Sequence, residues 1–113
     1  MVKALRATVS AKVLLESGDA DGACNRAYYA IFDAARAALL SSGHEVGKTH
    51  RGLLNSFAND LVKNELIPKE MGRLLKRAET FRYVADYSEE LVELSDALEM
   101  VAQAEIFVDT LQD

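Results

Sequence analysis

Residues 20–41 read ADGACNRAYYAIFDAARAALLS, with alanine at 20, 23, 27, 30, 34 and 37. Recurrence at three and four places these methyl groups along one side of an α-helix, and a strand, with its period of two, cannot do so. Such a strip has little bulk, so another helix can approach closely, and the segment reads as the central helix of a bundle. Cys24, Tyr28, Ile31 and Ala35 widen the apolar arc beside it. Opposite, at about 100° per residue, Asn25, Arg26, Tyr29, Asp33 and Arg36 share a polar face that contains an aromatic ring.

The rest of the chain follows the same period. A first helix is predicted from about Lys3 to Ser17, stopped at Gly18. Asp19 or Asp21 caps the second, which runs to Ser42 and closes at Gly43. Thr49 caps a third, HRGLLNSFANDLVK, with Leu53, Leu54, Phe57 and Leu61 on one face. Pro68 fits the first turn of a fourth, KEMGRLLKRAETFRYVA. Ser88 caps a fifth, with Glu89 and Glu90 set against the helix dipole. Its expected stripe is Leu91, Leu94, Leu98, Val101, Ala104, Val108 and Leu111. No strand, repeat or linker interrupts this pattern, so residues 1–113 form a single all-α domain.

Half of the 113 residues are hydrophobic, which fits one core. A core of this size leaves much apolar surface near solvent, and association is a natural way to cover it. The apolar run AYYAIFDAARAALL is broken by Asp33 and Arg36 and falls short of the roughly 20 residues that span a bilayer. One cysteine, Cys24, permits no internal disulfide and suits a reducing compartment. With no export signal at the N-terminus, the expected location is the cytoplasm.

Net charge is −5, unevenly spread: residues 1–85 hold all 13 bases against nine acids, while residues 86–113 hold nine acids and no base. The overall sign argues against a generic nucleic-acid binder. It leaves room for a local basic cleft along Lys63, Lys69, Arg73, Lys76, Arg77 and Arg82. Met71, Leu75 and Ala78 lead at helical spacing into Arg82, which puts a permanent charge on an apolar stripe. Such a cation needs an internal partner or a ligand. Asp86, one turn on, or Asp33 across a helix pair would serve for a structural ion pair. A phosphate would serve equally, because the planar guanidinium forks onto two oxygens at once.

Other chemistry is sparsely signalled. His44 and His50 lack Cys, His or carboxylate partners at metal-ligand spacing, so no metal site and no cofactor are expected. Cys24, in a helical apolar setting, reads as an inert core thiol. Phosphate-binding glycine loops, dinucleotide fingerprints and nucleophile elbows are absent.

Taken together, NRAYYAIFDAARAALL, KTHRGL, FRYVADYSEE and the closing AEIFVDTL resemble the small stand-alone prokaryotic HEPN domains (higher eukaryotes and prokaryotes nucleotide-binding). The similarity runs over nearly the whole chain, in order. It implies an up-and-down helical bundle of four core helices plus a short additional helix, usually a homodimer with a cleft between subunits. Such members are often paired with a minimal nucleotidyltransferase in toxin–antitoxin modules. Active members are metal-independent endoribonucleases in which an arginine holds the scissile phosphate and a histidine, separated from it by four to six residues, helps activate the ribose hydroxyl.

Arg82 matches the family arginine, but the histidine positions hold Tyr87, Ser88 and Glu89. With a pKa near 10, Tyr87 supplies little base at neutral pH, although it can donate a hydrogen bond to phosphate. The resemblance therefore points to a nucleotide- or RNA-binding subunit whose phosphate site is Arg82 with Asn25, Arg26 and Tyr29, oriented by Asp86. Tyr83 or Tyr87 would be the acceptor if the transferase attaches a nucleotide. Two alternatives stand beside it. One is an endoribonuclease toxin with a degenerate motif, using Arg82 and Tyr87; the other is a dimeric helical scaffold without ligand.

Overall fold

The computed structural model describes residues 1–43, 49–87 and 92–112, apart from the side chains of residues 50 and 84–87. Five helices follow one another, with no strand among the described residues: α1 (Val2–Glu16), α2 (Ala20–Ser41), α3 (His50–Ser56), α4 (Lys69–Tyr87) and α5 (Leu94–Leu111). The alanine strip does what its spacing implies. Ala23, Ala27, Ala30 and Ala34 are fully buried, and so are Ala4 and Ala11 of α1. Small side chains thus line both sides of the α1–α2 seam, the most extensive helix contact in the molecule. The second helix also touches α3, α4 and α5 and is the axis of the bundle, while α1 and α4 lie against it with no contact to each other among the described residues.

Caps fall where the sequence places them. The Asp19 carboxylate accepts from the Gly22 amide at 2.9 Å, and the Thr49 hydroxyl accepts from the Gly52 amide at 2.9 Å. Asp21, the alternative cap, instead accepts from the Val92 amide at 3.3 Å and ties the approach to α5 onto the start of α2. Gly18 and Gly43 take positive φ, +87° and +80°, and turn the chain after α1 and α2.

Three expectations change. The third helix is not uniformly α: after Ser56 it continues as a π-helical turn, Phe57–Val62. Phe57 and Leu61 are both in the core, and the Phe57 ring stacks on Phe107 of α5 at 5.8 Å. The fifth helix begins at Leu94 after Glu93, not at Ser88, which lies outside the described residues. Its core stripe is Ala97, Met100, Val101, Ala104, Phe107, Val108 and Leu111, leaving Leu94 and Leu98 outside. Leu91 lies outside the described residues.

The turn after the π-helical segment holds Glu65 at φ +61°, a left-handed conformation that costs a side chain with a Cβ about 1 kcal/mol. Asparagine adopts this region more readily. Glu65→Asn is expected to raise the melting temperature by roughly 2–4 °C in a thermal denaturation scan. An unchanged or lower value would mean that Glu65 is not strained there.

Candidate functional site

Met71, Leu75 and Ala78 of α4 are buried, as their spacing implies, and the stripe ends on a half-buried Arg82. The guanidinium lies over the ring of Tyr28, 4.8 Å from its centroid. Tyr28 is itself buried in α2, and its hydroxyl donates to Glu79 Oε2 at 2.7 Å. Glu79 and Arg82 sit one turn apart on α4, so both reach the same ring from above. Burial, then the hydrogen bond to Glu79, push the Tyr28 phenol far above its usual range, with Arg82 pulling the other way. Tyr28 is therefore a neutral donor at physiological pH and a fixed pillar under the arginine.

This pattern extends along α2. The Tyr28 ring meets Tyr29 edge-on at 5.8 Å and stacks on Phe32 at 5.8 Å. Arg26 lies over Tyr29 at 4.8 Å and Arg36 over Phe32 at 5.0 Å. Three neighbouring rings thus each carry an arginine, and each pairing holds a guanidinium on an aromatic face. The sequence shows the arginines but not how they sit on these rings, because Tyr28 reads simply as part of the apolar arc.

Asn25, Arg26 and Tyr29 do come together. Arg26 Nη2 donates to Asn25 Oδ1 at 3.5 Å while stacking on Tyr29. Arg26, Tyr29 and Asp33 line a cavity of about 250 Å³ whose other wall is α1, with Lys3, Arg6 and Ser10. Three cations against one carboxylate suit an anion. Lys3 and Arg6 were not legible as site residues, since only the packing of α1 on α2 brings them there. Arg82 does not line this cavity; it connects to Tyr29 through the Tyr28 ring.

On its other side the Arg82 cluster borders a cavity of about 480 Å³ between α3, the π-helical turn and α4. Glu79 belongs to both. Arg51, Asn55, Lys76 and Thr80 give it polar walls, and Phe57 and Leu75 give it an apolar floor. The side chains of Asp86, expected to orient Arg82, and of Tyr87 and His50 lie outside what the structure describes. Tyr83 is 64% exposed, so its hydroxyl is accessible. Among the described residues no cluster of His, Cys, Asp and Glu could hold a metal, and no helix is long and apolar enough to cross a membrane.

Cys24 is buried in the core, and burial followed by the carboxylates of Asp21 and Asp96 pushes its thiol up to about 11. An unfolded chain ionises this thiol near 9.0, so between pH 9 and 11 the unfolded state loses a proton that the folded state keeps. Stability held below pH 9 is therefore lost as pH rises towards 11. The melting temperature of the wild type is expected to fall faster than that of Cys24→Ala above pH 9. Parallel curves would show that the thiol ionises equally in both states.

The family model described as HEPN domain matches residues 1–113. A Methanocaldococcus jannaschii protein named "Putative toxin" is 33% identical over 103 residues, 91% of this chain and 76% of that protein. A UPF0332 protein of Gloeobacter violaceus is 32% identical over 110 residues, covering 96% and 86% of the two chains. A second M. jannaschii protein with the same toxin designation is 31% identical over 86 residues, 75% of this chain and 57% of its own length.

Proposed function

The chain belongs to the HEPN domain family, and from that premise we propose that it is the nucleotide- or RNA-binding subunit of a toxin–antitoxin-type module. It acts in the cytoplasm as a homodimer, pairs with a minimal nucleotidyltransferase, and holds a phosphate through Arg82. One observation carries this reading: the Arg82 guanidinium is held on the Tyr28 ring while its side chain is only partly buried. A cation fixed in advance loses little freedom when an anion arrives. Arg26, held on Tyr29 beside Asn25, supports a second phosphate contact. The exposed hydroxyl of Tyr83 is the acceptor if the transferase modifies this subunit.

The toxin designation of two relatives favours one further reading, a metal-independent endoribonuclease in which Arg82 holds the scissile phosphate and Tyr87 donates to it. The two readings separate on one set of samples. Binding predicts that ATP, AMP or a short RNA raises the melting temperature of the wild type and not of Arg82→Ala. The nuclease predicts, in addition, RNA cleavage in the presence of a metal chelator. Melting curves that none of these ligands moves would overturn the phosphate site.

A further inference from the structure

Two rows of polar side chains face each other across the groove between the first two helices. Lys3, Arg6 and Ser10 follow at three and four on α1, and Arg26, Tyr29 and Asp33 follow at three and four on α2. Each row therefore shares one side of its helix. The cavity of about 250 Å³ lies between them, with the buried Ala7 in its wall.

The charges of this groove are not used up inside the chain. Among the described residues, the side chains of Lys3, Arg6 and Asp33 make no ion pair and no hydrogen bond. Lys12, further along α1, does find a partner, with its Nζ 3.3 Å from Glu105 Oε1. Arg26 is already held, over the Tyr29 ring at 4.8 Å and beside Asn25 Oδ1 at 3.5 Å, so little freedom is lost when an anion arrives. The first turn of α1 contains no acid, and its N-cap residue makes no side-chain hydrogen bond. The positive end of the helix dipole thus adds to Lys3 instead of being offset. A solvated surface gains nothing from that placement, whereas an anion in the groove gains from all of it.

Size and the single carboxylate narrow the ligand. The cavity has room for about eight water molecules at roughly 30 Å³ each, more than one phosphate group fills. Asp33 only accepts hydrogen bonds and repels a second anion, so beside the phosphate it calls for a hydroxyl group. We propose that the α1–α2 groove binds a ribose phosphate, with Lys3, Arg6 and Arg26 on the phosphate and Asp33 accepting from a sugar hydroxyl. Tyr29 meets Tyr28 edge-on at 5.8 Å, and Tyr28 carries Arg82 at 4.8 Å, so the groove adjoins the Arg82 site without sharing a cation with it. Where the ligand is an RNA strand, the inference rests on the binding reading above, and the groove takes a second sugar-phosphate of that strand.

Amide chemical shifts of the intact chain, titrated with ribose 5-phosphate into the millimolar range, test this. Wild type and Arg82→Ala are expected to bind equally, with shifts confined to α1 and α2. The double variant Lys3→Gln with Arg6→Gln is expected to bind more weakly by roughly tenfold or more, with its helical circular dichroism retained because both side chains are exposed. Asp33→Ala is expected to lose preference for ribose 5-phosphate over inorganic phosphate. No shifts in the wild type, or equal binding by the double variant, overturns the groove and leaves Arg82 untouched. An unchanged preference in Asp33→Ala overturns the sugar contact. A short RNA separates the two sources of the phosphate. If the strand occupies the groove, the double variant binds it more weakly, and the slope of log affinity against log salt falls by about 0.7. Unchanged RNA binding by the double variant removes the strand from the groove and leaves a free sugar phosphate as its ligand. RNA that fails to bind the wild type, with ribose 5-phosphate still held, removes the Arg82 reading and not this site.

Discussion

Ala30→Leu is expected to lower the stability of the fold by about 3 kcal/mol and its melting temperature by roughly 10–15 °C. Ala30 is fully buried in the middle of the strip that faces the neighbouring helices, and small side chains also line the α1 side of the seam. Three added carbon atoms find no void there, so either α1 moves out along its length or the leucine leaves its preferred rotamers. With total stabilities of small domains at about 5–15 kcal/mol, a loss of this size is a large fraction. Asn25→Leu adds an apolar side chain to an exposed position of the same helix and is the control, expected to stay within about 0.5 kcal/mol of wild type. Equal shifts for the two variants in thermal denaturation would show that the seam is loosely packed.

Removal of the Arg82 guanidinium is the second large effect. Arg82→Ala is expected to weaken binding of a nucleotide or short RNA by roughly ten- to a hundredfold, the value of a charge-assisted pair of hydrogen bonds at about 1.5–3 kcal/mol. Arg82→Lys discriminates between mechanisms. It keeps the charge but loses the planar fork and the stacking on Tyr28, so it is expected to recover only part of the affinity. The Tyr28–Glu79 hydrogen bond and the buried Met71, Leu75 and Ala78 are untouched in both variants. Their melting temperatures without ligand are therefore expected to fall by only a few degrees. Calorimetric titrations giving one affinity for all three proteins would remove Arg82 from the site.

Reading the sequence recovered the elements better than their faces. In α5 the three-and-four spacing is satisfied twice, once by Leu94 and Leu98 and once by Ala97, Met100 and Phe107. Periodicity defines an apolar arc without fixing its centre, and Phe107 entered the core because its ring finds Phe57. The π-helical turn was hidden for a similar reason. Phe57 and Leu61 satisfy an α-helical face on paper, and nothing in their spacing marks the wider winding between them. Tyr28 reads as one more apolar position of α2, although its hydroxyl carries a hydrogen bond to Glu79 of α4.

What the sequence determined on its own is local. Alanine at three and four, caps at Asp19 and Thr49, and an apolar stripe running into Arg82 each depend on residues within a turn or two of one another. The packing decided everything that joins distant parts of the chain. Tyr28 and Glu79 are 51 positions apart, Lys3 and Arg6 reach the cavity of Arg26 from another helix, and Lys12 of α1 pairs with Glu105 of α5. Such contacts depend on how each helix is rotated about its axis and where it crosses its neighbour. That rotation is settled by the competition of all apolar faces for one core.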